Sequence, residues 1–183
     1  PEIKPIQSLI ETFDCTIIDH SKYDTKIVGT GTIKQDNQLI MSGNSEYGII
    51  WDAIYTQKKY NLMNDFNISV NVNLSGKASI GNIVGVIVIE DLSLITECKN
   101  PERGYCEISI GLDGKILRMS KSVGHLDDDI PLSGILTLSY NTKLGKLTCT
   151  FNGKTITQYQ NTLSGDYYAT LRSGLNYASG GGL

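Results

Sequence analysis

The chain has 183 residues with a formal net charge of −3, and a chain of this size closes one domain around a core that needs no covalent staples. Forty per cent hydrophobic residues and a mean hydropathy of −0.12 argue against disorder. The longest apolar run, Ile83 to Ile89, is seven residues, far below the ~20 of a membrane-spanning helix, and a pI near 5.3 lacks the basic face that nucleic acid requires.

The ratio of 23 Ile to 4 Ala, beside 19 Gly and 10 Tyr, sets the fold class. Isoleucine is stiff at χ1 and suits a pleated surface, whereas the best helix former is nearly absent. Glycine and asparagine supply tight turns. The composition is all-β.

In chain order, Pro5 to Phe13 spaces apolar residues at i, i+3, i+4 and i+7, which predicts one short amphipathic helix. From there the period is two. Ile27 to Ile33 and Gln38 to Met41 predict a hairpin turning at Asn37. Tyr47 to Tyr55 is mixed and aromatic. Phe66 to Leu74 alternates strictly, with Phe, Ile, Val, Val and Leu on one face and Asn and Ser on the other. Ile83 to Ile89 reads as a buried central strand, and Tyr105 to Leu112 and Lys115 to Met119 flank an Asp113-Gly114 turn. Ile135 to Tyr140 and Leu147 to Phe151 alternate again, and the second meets Thr155 to Thr157 across Asn152-Gly153, a strong hairpin signal. Tyr168 to Leu175 closes a set of about ten strands, the pattern of a two-sheet antiparallel sandwich. No composition shift marks a boundary, so residues 1–178 are expected as one β-sandwich domain. Residues 179–183 are Ser/Gly-rich and read as a flexible linker or an artificial chain end. The start at Pro1 suggests a piece of a longer polypeptide.

The order of these segments resembles the concanavalin A-like jelly-roll superfamily, which includes legume lectins, laminin G-like domains and many carbohydrate-binding modules. The likeness rests on the Gly-Thr-rich first hairpin (Ile27 to Met41), the aromatic stretch Gly48 to Tyr55, F-x-I-S-V-x-V (Phe66 to Val72) and G-V-I-V (Gly85 to Val88). It continues through Y-C-E-I-S-I from Tyr105, L-T-L-S-Y-N (Leu136 to Asn141) and L-x-C-x-F-N-G-K (Leu147 to Lys154). It implies a jelly-roll sandwich and glycan binding, in a surface adhesin or in a tail baseplate protein of a phage that docks on host wall polysaccharide. Departures matter too. The sugar-binding Asp of the legume lectins falls at Val84, and of the Glu and Asp metal ligands only Glu107 is present, with Ser109 in the second place. Related glucanases carry several carboxylates on that strand, and a glycosidase needs two at fixed separation. Cys106 to Gly111 supplies one, so no catalytic residue and no metal ligand is expected.

The carbohydrate-binding candidates are Trp51, Tyr55, Tyr60, Tyr47 and Asp52. Aromatic faces lie against the apolar side of a sugar ring while nearby carboxylates and amides take its hydroxyls. Trp51, the only Trp, also suits a place between the sheets. Tyr55 and Tyr60, beside Gln57, Lys58 and Lys59, are the better surface candidates. The run Asp127-Asp128-Asp129 offers hard oxygen ligands for calcium, but contiguous acids project in different directions, which favours a solvated loop. Of the four cysteines, none forms C-x-x-C. A disulfide between Cys98 and Cys106 is possible across their turn-rich loop, while Cys106 and Cys149 sit in apolar β runs. Free thiols are the expectation, because a core of this size needs no bridges.

These observations lead to a non-catalytic carbohydrate-binding module without cofactor. It is expected at a cell surface, outside the cell or on a virion, with a polysaccharide or glycan as partner and other subunits of a larger assembly as further contacts. Nucleic-acid binding and membrane insertion are not expected. The alternatives are a laminin G-like structural or protein-interaction module, and a glycoside hydrolase or lyase.

Overall fold

The computed structural model describes residues 11–28, 31–42, 50–61, 65–73, 82–89, 91–93, 105–110, 116–118, 124–125, 133–160 and 165–175. Among them run fourteen strands. They are β1 (Tyr23–Val28), β2 (Thr32–Gln35), β3 (Leu39–Ser42), β4 (Ile50–Thr56), β5 (Tyr60–Asn61), β6 (Phe66–Asn73) and β7 (Asn82–Ile89). Then follow β8 (Tyr105–Ile110), β9 (Ile116–Arg118), β10 (Gly124–His125), β11 (Ser133–Asn141), β12 (Lys146–Phe151), β13 (Lys154–Gln160) and β14 (Asp166–Leu175).

The strands form a large sheet in the order β1-β4-β14-β7-β8-β9-β10, with β5 also paired to β14, a second sheet β13-β12-β11-β6, and the β2-β3 hairpin. All their pairings are antiparallel. The second sheet is built by alternation. Leu136, Leu138 and Tyr140 of β11, Leu147, Cys149 and Phe151 of β12, and Val72 of β6 turn inward and are buried. Asn67, Ser69, Asn71 and Asn73 of β6 are exposed on the other side. Across the core they meet Val88 of β7, Tyr167 of β14 and the partly buried Leu171. Phe66 and Tyr140 add an aromatic contact at 5.7 Å between ring centroids, a geometry that contributes beyond area alone.

Several expectations are corrected. Glu11 to Phe13 are irregular, with Phe13 at φ 53°, so the predicted helix does not reach them; the rest of that segment lies outside the described residues. The first hairpin is β2-β3 alone, turning at Asn37 with φ 53°, because Ile27 and Val28 belong to β1 and pair with β4. The final strand, expected over Tyr168 to Leu175, forms and is longer, Asp166–Leu175. It sits between β4 and β7 in the middle of the large sheet. Cys149 is disulfide-bonded, whereas Cys15 is a free, exposed thiol. The free-thiol expectation therefore fails for Cys149: core volume decides whether a bridge is needed, not whether two sulfurs meet. The Asp113-Gly114 turn and the Asp127 to Asp129 run lie outside the described residues.

The Asn152-Gly153 turn forms as the sequence indicates, with φ 49° and 76° at the two positions, the left-handed pair of a primed turn. Asn152 does more than permit the turn. Its Oδ1 accepts from the Ile135 N–H at 2.8 Å, and its Nδ2 donates to the Ser133 carbonyl at 3.4 Å. This ties the β12-β13 turn to the start of β11. A Cβ at Gly134 would collide with that amide. Replacing Asn152→Ala removes these bonds and places a residue with no local polar partner in the left-handed region. The expected cost is about 2 kcal/mol, read as a fall in melting temperature of roughly 4–8 °C with no change in strand content by circular dichroism.

Candidate functional site

Antiparallel register places directly paired residues on the same side of a sheet, so the large sheet resolves into rungs on two faces. On the face turned to the second sheet, one rung runs Thr25, Ile54, Leu171, Val86 and Cys106 across β1, β4, β14, β7 and β8. It includes the buried Ile54. The opposite face carries the polar and aromatic residues. Its middle rung is Lys26, Ala53, Arg172, Gly85 and Glu107. On one side of it lies the rung Asp24, Tyr55, Thr170, Ile87 and Tyr105, and on the other Val28, Trp51, Gly174, Ile83 and Ser109.

Two small residues shape the middle rung. Ala53 on one side of Arg172 and Gly85 on the other leave lateral room for a long side chain, and Arg172 is only 1% exposed. Burying a guanidinium is costly unless it is compensated, and Arg172 is engaged in an interaction. Glu107 is the acidic position of the same rung, two strands away across Gly85, about 10 Å between backbones. Thr170, on the neighbouring rung, is buried, and its Oγ1 has no hydrogen-bond partner among the described residues.

The aromatic rim is better exposed. Tyr55 and Tyr168 are partly buried and meet edge to face, with ring centroids 6.4 Å apart and planes at 79°. Lys59 Nζ lies 5.0 Å from the centre of the Tyr168 ring, within cation–π range. Burial first, then the charge of Asp24, raises the Tyr55 hydroxyl above its ordinary pKa, so it stays a neutral donor and acceptor at physiological pH.

The sequence candidates divide accordingly. Tyr55 is partly exposed on the outer face, and Trp51 holds a register position on β4 two residues before Ala53. Tyr60, on β5, pairs with Tyr167 and packs against the core cluster. Tyr47 lies outside the described residues. Asp52 belongs to the face turned to the second sheet. Arg172, Thr170, Tyr168 and Lys26 were not among the sequence candidates. The signal for them was the polar alternation of Tyr168, Thr170 and Arg172 against Ala169 and Leu171. It marks a face without telling where in the sheet the strand will lie.

Asp52 is a separate feature, 1% exposed. It accepts a hydrogen bond from the Thr32 backbone, and its Oδ1 has no partner among the described residues. A Cβ at Gly31 would overlap the carboxylate, so the β1-β2 connection can pass here only with glycine. Burial pushes the Asp52 pKa up to about 6, against the smaller opposing pull of the Thr32 hydrogen bond.

Neither a protein-family model nor a curated protein matches the sequence. Solved structures match the fold. The carbohydrate recognition domain of Emp47p aligns with a TM-score of 0.53 over 92% of this chain and 86% of that one, at 12% identity. An endo-1,3-β-glucanase from Streptomyces sioyaensis gives 0.56 over 96% and 87%, at 10% identity. A GlcNAcα1-4Gal-releasing endo-β-galactosidase from Clostridium perfringens gives 0.60 over 97% of this chain and 60% of that one, at 11% identity. At such identities the likeness speaks to fold alone. The fold is an all-β, two-sheet antiparallel jelly roll, an architecture shared by a carbohydrate recognition domain and by glycanases.

A carboxyl whose pKa is raised by folding binds its proton more tightly in the native state. Stability then declines as pH rises from the unfolded value near 4 to about 6, and levels off above it. Asp52→Asn removes that loss. It is expected to stabilise the protein by the order of 2 kcal/mol at pH 7.5 and by almost nothing at pH 3.5, measured by urea unfolding at both values.

Proposed function

We propose that the chain is a non-catalytic carbohydrate-binding module that recognises a cell-surface or cell-wall glycan as part of a larger adhesion protein. The observation that carries this reading is the aromatic edge on the outer face of the large sheet, where the partly buried Tyr55 and Tyr168 meet edge to face and Lys59 lies over the Tyr168 ring. Beside it the same face carries the buried Thr170 and Arg172 on β14. Partly exposed tyrosine rings suit the apolar side of a pyranose ring, and an ammonium beside them suits its hydroxyls. A carbohydrate recognition domain among the proteins of similar fold supports the reading at the level of architecture. A host-recognition protein of a phage tail baseplate is one parent that would use such a module. A shallow site binds weakly on its own, and repetition in an assembly supplies avidity.

The glycanases of similar fold keep a hydrolase as the second reading. Hydrolysis needs two carboxyl groups about 5–10 Å apart. Among the described residues the acidic positions on the outer face of the large sheet are Glu107, Asp24 and Asp166. Four strand spacings separate Glu107 from Asp24 by about 19 Å, and Asp166 stands about 13 Å along β14 from the rung of Asp24 and about 20 Å from that of Glu107 before any lateral offset. Asp52 is on the other face.

The test is a glycan array carrying mono-, oligo- and polysaccharides and host wall preparations, followed by titration of the ligands found. Binding is expected to change the emission of the single Trp51, and Tyr55→Ala to weaken it about tenfold through loss of a stacking ring. Absence of binding across all three classes of glycan overturns the proposal. Reducing-end assays on the same polysaccharides are expected to stay at background. Release of reducing ends that disappears in Glu107→Gln overturns the non-catalytic assignment.

A further inference from the structure

The sequence holds four cysteines, of which Cys15 is free and Cys149 is disulfide-bonded. The partner of Cys149 is therefore Cys98 or Cys106, and a Cys98–Cys106 bridge is excluded. Cys149 lies in the middle of β12, with 0% exposure, inside the core cluster between the sheets. A partner must reach that same layer. By register, Cys106 shares the core-side rung with Val86, Leu171 and Ile54, and β8 packs across the core against β12. Cys98 lies outside the described residues.

We infer that Cys149 is bonded to Cys106, so that a single covalent bridge crosses the core and joins the large sheet to the second one. The next residue after Cys106 is Glu107, on the open face in the rung of Arg172. The bridge thus anchors from beneath the strand that contributes to the candidate site. Its formation oxidises two thiols: each loses a proton, the sulfurs join, and the electron pair passes to a disulfide donor, which leaves as two thiols. The bridge therefore forms where an oxidised thiol couple is present, as outside the reducing cytosol. The inference stands independently of glycan binding.

Tryptic mapping of the intact protein separates the two pairings, because Lys99 and Arg103 lie between Cys98 and Cys106. The protein, refolded with oxidised glutathione, is alkylated with iodoacetamide in denaturant without reduction and digested. The expected product joins Gly104–Lys115 to Leu147–Lys154, with alkyl groups on Cys15 and Cys98. A peptide joining the Cys98 segment to Leu147–Lys154, or alkylation of all four cysteines, overturns the pairing. As a second measurement, dithiothreitol is expected to lower the wild-type melting temperature by about 10 °C. Cys106→Ser is expected to melt at that reduced value and to be insensitive to dithiothreitol, while Cys98→Ser behaves as wild type. Retained dithiothreitol sensitivity in Cys106→Ser also overturns it; should that variant not fold, the peptide map decides.

Discussion

The hydrogen-bond ladder along both edges of β14 is the constraint on which the rest of this molecule depends. Ten residues from the end of the described chain insert between β4 and β7, two strands separated by the whole of β5 and β6 in sequence. The ladder fixes register across five strands, and with it which side chains meet. Because side chains alternate with a period of two, a slip of one residue would turn Arg172 and Thr170 into the core and Leu171 out of it. That slip is opposed from both sides at once, by the apolar area it would expose and by the charge it would bury among aliphatic groups.

The same ladder explains how one sheet serves two purposes. The side facing the second sheet is aliphatic and closes a core with Leu136, Leu138, Leu147 and Phe151. The other side places the long side chain of Arg172 beside Ala53 and Gly85, where it is buried. Arg172 and Asp52 illustrate the contrast. Both are nearly fully buried, yet Arg172 belongs to the outer face, whereas Asp52 sits on the core side, wedged against the glycine of the β1-β2 connection and held neutral more easily by burial. The first is covered on the far side of the sheet from the core; the second is a cost borne by the packing of the β2-β3 hairpin.

A jelly roll hosts both lectins and hydrolases because the scaffold leaves the open face free to vary. In this chain that face carries aromatic and hydroxyl groups with one central arginine, and its described carboxylates stand far apart. A rigid support matters for a weak site, since any order imposed on binding would subtract from a small affinity.

Much of the architecture was legible in the residues themselves. The excess of isoleucine over alanine and the alternation of Phe66 to Leu74 fixed strands and faces, because those patterns depend on local sterics and on nearest neighbours. Asn152-Gly153 specified its own turn for the same reason. The amphipathic spacing of Pro5 to Phe13 misled at its end, where Phe13 packs on Tyr23 at 5.8 Å and adopts a positive φ. Tyr55 was named from its aromatic neighbourhood, and the sheet places it on the face away from the core. Arg172, Thr170 and Glu107 were not joined to it, nor was Asp52 separated from it, because strand order and register are set by contacts between segments a hundred residues apart. Pairing of Cys149 belongs to the same category. Periodicity along a chain determines what a strand presents on each side; only the assembled sheet decides which strand lies next to it, and therefore what the presented groups become.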